Sequence, residues 1–358
     1  MHSQHQHYDY ATLSRAWPVT GCTAVFKQHA EDFVVTESLP FGLTGEGEHV
    51  WLYIEKRGSN TDWVARKLAA LAGVKLHQVG YAGLKDRHAL CRQWFSVHLP
   101  GRVEPDWQGI NDAELRLLQH SRHRRKLQRG ALKHNRFDIH LRHIRGDIDT
   151  LLQRCALIQD EGVPNYFGEQ RFGHNMNNLS RAQALFSRPP KRLSRHQRSL
   201  YLSAARAWIF NRIVSRRIDG VVWNRRLPGD VFMLAGSQAC FADDGSAELE
   251  SRLAQGEIHP SAALWGDGDS LAQADCAQLE QAVAAQHGVL AAGLVAARLQ
   301  PQRRATRLLP QDFSWHAGEQ DDSLWLQFSL PAGAYATAIL RELAAMTQPT
   351  HANVPQPG

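Results

Sequence analysis

Between residues 23 and 57, apolar positions fall in strand-like runs, Phe33-Val34-Val35 and His49-Val50-Trp51-Leu52-Tyr53-Ile54, separated by a glycine-rich turn (Gly42, Gly45, Gly47). Val64, Leu68, Leu71 and Ala72 then return at spacings of three and four, which predicts a helix capped by Asn60 or Thr61 and ended by Gly73. Residues 78–82 and 89–99 read as two more extended runs joined by a short charged turn. Phe137, Ile139 and Leu141 alternate with polar residues, as in a half-buried strand. A helix follows from a cap at Asp147 to about Glu161, with Ile148, Leu151, Leu152, Cys155 and Ile158 on one face, and Gly162-Val163-Pro164 stops it.

Beyond this point the pattern becomes helical, at about 177–187, 198–219 and 273–286, with short strand-like pieces between. Strand texture returns in Leu324 to Leu330, and a helix is predicted from about Ala334 to Met346. That return predicts one domain built from residues 1–161 and 309–358, with residues 162–308 inserted, because neither end is a convincing unit alone. The Pro-rich end, from Pro349, reads as a frayed tail.

Composition agrees with this count. At about 150 residues per domain, 358 residues make roughly two domains. With 43% hydrophobic and 21% charged residues, the chain is globular; wholesale disorder, collagen and coiled coil are excluded. Five scattered cysteines without a CxxC pair read as free thiols in a reducing compartment. The N-terminus, with His2, His5 and His7, lacks the cationic and apolar segments of a secretory signal and reads as frayed and polar. The apolar stretch Gly288 to Ala297 is too short to span a bilayer. The expectation is a cytoplasmic protein.

Charge changes the picture more. Of 41 Lys+Arg, 33 are Arg, against 35 Asp+Glu. The total alone is equally explained by a GC-rich genome, so distribution decides. Residues 116–145 hold ten cations and one acid (Asp138), residues 181–226 hold twelve and one (Asp219), and residues 243–280 hold nine acids and one cation (Arg252). Solvated helix faces interleave Glu with Lys, and these blocks do not. Unrelieved repulsion predicts an external polyanion, with RNA gripped between the two domains and the acidic stretch turned away. Charge alone does not separate RNA from DNA.

No GxxxxGK[ST], HExxH, zinc CxxC pair or GxSxG is present. The chemistry left is acid/base or covalent catalysis by side chains. The outstanding segment is Gly80-Tyr-Ala-Gly-Leu-Lys-Asp-Arg-His-Ala89, followed by Gln93-Trp-Phe-Ser96. It puts Asp86, flanked by cations, in a tight turn between strands. From spacing alone such a carboxylate is solvated or forms an Asx turn, and no catalyst is named.

That segment resembles the G-x-K-D signature of the TruD family of tRNA pseudouridine synthases. So do Glu31-Asp-Phe-Val-Val-Thr-Glu37, Gly45-Glu-Gly-Glu-His49, Arg124-Arg-Lys-Leu127 through Gly130 to Phe137, Val163-Pro-Asn-Tyr-Phe-Gly-Glu-Gln-Arg-Phe-Gly173 and Leu330-Pro-Ala-Gly-Ala-Tyr-Ala-Thr337. The resemblance implies an α+β fold: a pseudouridine synthase core with a mixed, largely antiparallel sheet and flanking helices, plus an inserted α/β TRUD domain. It implies isomerisation of uridine to pseudouridine in tRNA, at position 13, with Asp86 as nucleophile attacking uracil C6 or ribose C1′ of a flipped-out base. No cofactor and no metal are needed, the partner is tRNA, and a monomer away from membranes is expected.

By the same resemblance Lys27 is the cation beside Asp86, ahead of Lys85 and Arg87, and Phe33, Asn135, Phe137 and Tyr335 line the pocket. Tyr335 stands where bacterial relatives often carry Phe. Periodicity alone makes Phe33 and Phe137 core residues. The 165–173 block is expected to position the inserted domain over the RNA, and no chemistry is assigned to Arg171. The alternative is a non-catalytic RNA-binding protein or RNA chaperone, against which the intact Asp86 argues. Hydrolysis or methyl transfer would release base or require a methyl donor.

Overall fold

A computed structural model describes residues 8–188, 192–318 and 322–349. His2, His5, His7 and the tail beyond Pro349 lie outside the described residues. The strands are β1 (Thr23–Val25), β2 (Phe33–Ser38), β3 (His49–Arg57), β4 (Val79–Tyr81), β5 (Leu90–His98), β6 (Leu115–His123), β7 (His134–Arg145), β8 (Val163–Pro164), β9 (Val231–Leu234), β10 (Cys240–Ala242), β11 (Ile258–Leu264), β12 (Gln302–Ala305), β13 (Arg307–Leu308), β14 (Gln311–Ala317), β15 (Leu324–Pro331) and β16 (Ala345–Thr347). The helices are α1 (Thr61–Leu71), α2 (Ile148–Glu161), α3 (Asn177–Ser187), α4 (Arg195–Asp219), α5 (Glu248–Ala254), α6 (Ala274–Gln286), α7 (Gly288–Ala296) and α8 (Ala336–Leu343).

Two compact units share the chain. One holds Thr20–Cys155, Pro310–Gly333 and the chain from Leu343. Its sheet runs β14-β15-β7-β2-β5-β3-β6, with β4 on β5 and β1 between β7 and β16. Only β2 with β5 and β1 with β16 pair in parallel, so the sheet is mixed and largely antiparallel. Val50, Leu52 and Ile54 alternate along β3 and pack with Phe95 and Val97 of β5 under Val64, Ala65 and Leu68 of α1. Burying each such side chain contributes about 1.5–3 kcal/mol. Gly73, at φ +61°, ends the α1 segment in the left-handed turn expected of it.

The second unit holds the chain up to Val19, Ala156–Leu309 and Ala334–Glu342. Its core is helical: α4 runs 25 residues from a capping box in which Ser194 and Gln197 exchange backbone and side-chain bonds, and it packs against α3, α6 and α7. A four-stranded antiparallel sheet, β10-β9-β11-β12, completes it. The division differs from the expected boundaries at both ends of the chain. Tyr8 and Leu13 belong to the helical core, and Arg341 donates to the carbonyls of Leu13 and Ser14, which ties residues 334–342 to that unit.

Three further differences have local causes. β6 lies inside the first basic block and was not foreseen, since as an edge strand it exposes Arg116, Leu118 and His120 and lacks a clean alternation. The last helix stops at Leu343, and residues expected to continue it form β16, which pairs with β1. The basic blocks are also not unrelieved. Arg116 pairs with Glu55, Arg122 with Glu104, Arg124 with Glu46 and Arg142 with Asp32; in the second unit Arg226 of the basic block meets Asp243 of the acidic one.

Arg217 and Asp230 form the most buried ion pair of the second unit, at 2.6 and 2.8 Å, with the guanidinium also donating to the carbonyls of Val222 and Arg225. Asp230→Ala would leave that cation uncompensated. We expect a loss of about 3–5 kcal/mol in urea denaturation, and an unchanged midpoint would show the pair to be dispensable.

Candidate active site

The turn carrying Asp86 is fixed through its backbone by side chains that point up from the sheet and α1. Gln93 of β5, fully buried, donates to the carbonyl of Gly83 at 2.7 Å and accepts from Thr61 Oγ1 at 3.0 Å; that hydroxyl in turn accepts from the Lys85 amide at 3.0 Å. Thr61 is therefore occupied with the turn and does not cap α1. Lys56 of β3, also fully buried, donates from Nζ to the carbonyls of Asp86 and Ser59, both at 2.8 Å. Burial pulls the Lys56 pKa down, with Cys91 and Asp86 opposing. Beside Lys56, burial pushes the Cys91 thiol up to about 11, which keeps it neutral.

Lys85 turns inward and pairs with Glu37 of β2 at 2.7 Å. Burial pushes the Glu37 carboxyl up despite Lys85, the Trp94 amide and Lys56. Leu84 and the Asp86 side chain are left facing outward; the latter is 37% exposed.

Asp86 is gripped from two directions. Its Oδ1 accepts from the His88 amide at 2.9 Å, an Asx-type turn, and its Oδ2 is ion-paired with Lys27 Nζ. Partial burial pushes the carboxyl up, but the Lys27 charge and hydrogen bond, with the His88 amide, outweigh it and hold Asp86 below the usual carboxylate range. Lys27 itself is buried just beyond β1 in left-handed backbone, φ +59°, a conformation that costs a non-glycine residue about 1–2 kcal/mol. Its ammonium lies 4.4 Å from the Phe33 ring centroid and 5.2 Å from that of Phe26.

Strand register supplies the remaining wall. Phe33 pairs with Ile139, Val35 with Phe137 and Glu37 with Asn135, so these residues share one face of β2 and β7. Phe33 and Phe137 meet edge to face at 6.0 Å, and Phe137 stacks on Phe328 at 5.4 Å. Asn135 Oδ1 is buried without a hydrogen-bond partner among the described residues. A buried acceptor of this kind points to a missing donor. Asp86, Lys27, Phe33, Phe137 and Asn135 thus lie in one unit, whereas Tyr335 belongs to the other, where its half-buried ring packs on Phe167 at 6.1 Å. Among the described residues no group of three or more His, Cys, Asp or Glu is placed to hold a metal ion, and no helix is long and apolar enough to cross a membrane.

Lys56, Gln93, Thr61 and Glu37 were not singled out from the sequence. A signal existed: Lys56 continues the inward phase of Val50, Leu52 and Ile54, and Glu37 that of Phe33 and Val35, so each puts a charge where the pattern calls for an apolar residue. Replacing Gln93 with Leu would strip the Gly83 carbonyl and the Thr61 hydroxyl of a partner. The expected loss is about 1–3 kcal/mol, with faster amide exchange confined to residues 83–88; unchanged exchange there would show that the turn holds its shape without Gln93.

Comparison with known proteins places the chain. The family model described as "tRNA pseudouridine synthase D (TruD)" matches residues 12–181 and 175–343. Proteins named tRNA pseudouridine synthase D are 48% identical over 321 residues in Hydrogenovibrio crunogenus (90% of this chain, 92% of the relative) and 48% over 332 residues in Methylococcus capsulatus (92% and 94%). One from Xanthomonas campestris is 44% identical over 349 residues (94% and 95%). A crystal structure assigned to tRNA pseudouridine synthase D from Methanosarcina mazei superposes with a TM-score of 0.67 at 21% identity, covering 92% of this chain and 95% of that one, which establishes the common fold. On the family match and on relatives this similar over nearly their whole length, the chain belongs to the tRNA pseudouridine synthase D family.

Proposed function

We propose that the protein isomerises uridine to pseudouridine in tRNA, at position 13, with Asp86 as the nucleophile. The observation that carries this is a carboxylate kept ionised by a buried ammonium at the edge of an aromatic wall, in a family whose named members are tRNA pseudouridine synthases. The reaction breaks N1–C1′ and makes C5–C1′ within one nucleoside, so it needs no group from a cofactor. The carboxylate attacks either C6 of the uracil or C1′ of the ribose, and both routes pass through a covalent intermediate. The base has to leave its stack to be reached. Phe33 and Phe137 offer an apolar surface to it, and the unpartnered Asn135 Oδ1 suits an N–H of its edge.

In this reading Lys27 keeps the nucleophile ionised while the incoming base excludes water.

Asp86→Asn should retain tRNA affinity within about twofold and lose conversion by about a thousandfold or more in a pseudouridine-mapping assay. Full turnover by that variant would remove Asp86 from the chemistry, and a wild type that binds tRNA but leaves every uridine unchanged would favour the RNA-binding alternative.

Lys27→Met should raise the Asp86 pKa. A carboxylate held low is ionised down to a pH below its ordinary value, so the acid limb of kcat/KM should move to higher pH when Lys27 is lost. A coincident acid limb in the two proteins would show that Lys27 does not set the charge of Asp86.

A further inference from the structure

In the unit containing Ala156–Leu309, Arg217 pairs with Asp230 and Arg303 with Glu280 at 2.8 Å, and the buried Arg307 donates to the carbonyls of Asp160, Glu161 and Leu253. Arg171 is treated differently. Its Nη1 donates to the neutral Ser203 hydroxyl at 3.1 Å, and its Nε is buried with no hydrogen-bond partner. Its guanidinium lies 5.5 Å from the centroid of Phe167, and that of Arg304 lies 4.3 Å from the same ring. Arg304 is oriented by Asn165, donating to Oδ1 at 2.6 Å and to the carbonyl at 3.3 Å. Two cations that repel each other are therefore fixed on one aromatic side chain. Burial pulls Arg304 down to about 10, Tyr335 opposes this, and the charge of Arg171 reinforces it.

A second unpartnered group lies near. Thr337 Oγ1 is buried with no partner, and would be 2.9 Å from a Cβ placed on Gly168, next to Phe167. Tyr335 packs on the same Phe167 ring. Planar guanidinium donors with a hydroxyl, gathered where no carboxylate serves Arg171 among the described residues, match a phosphate group.

We propose that Arg171 and Arg304, held on Phe167, bind a phosphodiester of the RNA strand. The proposal rests on the tRNA reading above. The strand, and not free phosphate, is favoured because Arg195, Arg198, Arg212 and Arg216 of α4 in the same unit also have no carboxylate partner among the described residues, a run of positive charge suited to a polyanion.

The test is a scan of substrate tRNA in which the backbone phosphates are replaced one at a time by neutral methylphosphonates, with binding measured at several salt concentrations. With wild-type protein, one or two replacements should weaken binding about tenfold. Arg171→Gln should weaken binding to the unmodified strand, lower the salt slope by about one, and no longer respond to those replacements.

The proposal is overturned if no replacement affects the wild type, which needs no variant to fold, or if Arg171→Gln keeps the wild-type pattern and slope. It is also overturned if inorganic phosphate alone raises the melting temperature of wild type but not of Arg171→Gln while the tRNA slopes coincide, since the site would then take free phosphate. These outcomes are read from binding and stand apart from failure of the activity itself, which would appear as unconverted uridine in wild type with the phosphate pattern intact.

Discussion

Everything at the candidate site follows from having to keep one partly buried carboxylate charged. Burial leaves Asp86 short of water, so the protein supplies a fixed counter-charge, Lys27, and a backbone amide, that of His88. Lys27 must itself be buried to do this, and Phe33 and Phe26 receive its ammonium on their rings. The left-handed backbone at Lys27 is then the conformational cost of bringing a side chain from the end of β1 to a turn beyond β4.

The supporting residues solve a different problem, that of keeping a turn rigid. Lys56, Gln93 and Thr61 are polar groups placed in the core and satisfied by the turn's own backbone. Lys85, the neighbour of Asp86, is drawn down by Glu37, so adjacent residues face opposite ways and only one meets solvent freely. Polar networks of this kind hold one geometry when every member is satisfied.

Much of the unit that carries Asp86 could be read from periodicity. β2, β3, α1, β5, β7 and β15 follow from alternation or three-four spacing, and the signature around Asp86, with Lys27, Phe33, Phe137 and Asn135, came from resemblance to a family. What escaped were effects of strands distant in sequence. β6 shows almost no alternation, being an edge, and β16 is too short to have a period; both exist because β3 and β1 offer them hydrogen bonds. Counting charges along the chain failed for the same reason, since Glu46, Glu55 and Glu104 reach Arg124, Arg116 and Arg122 from other strands. Local counts measure composition, whereas ion pairs are made across the sheet.

The parallel pairing of β1 with β16 has a consequence for synthesis. Thr23, Ala24 and Val25 lie against Ala345, Met346 and Thr347, and the amide of Phe26, next to Lys27, donates to the carbonyl of Thr347 at 3.1 Å. The segment that presents the cation to Asp86 is anchored by residues that follow it far along the chain. A chain emerging from the ribosome can make α1, the Asp86 turn and most of the sheet well before it can fasten Lys27 in place. Asp86 thus gains a firmly seated counter-ion only once β16 has been made, and chains that stop short of it lack one.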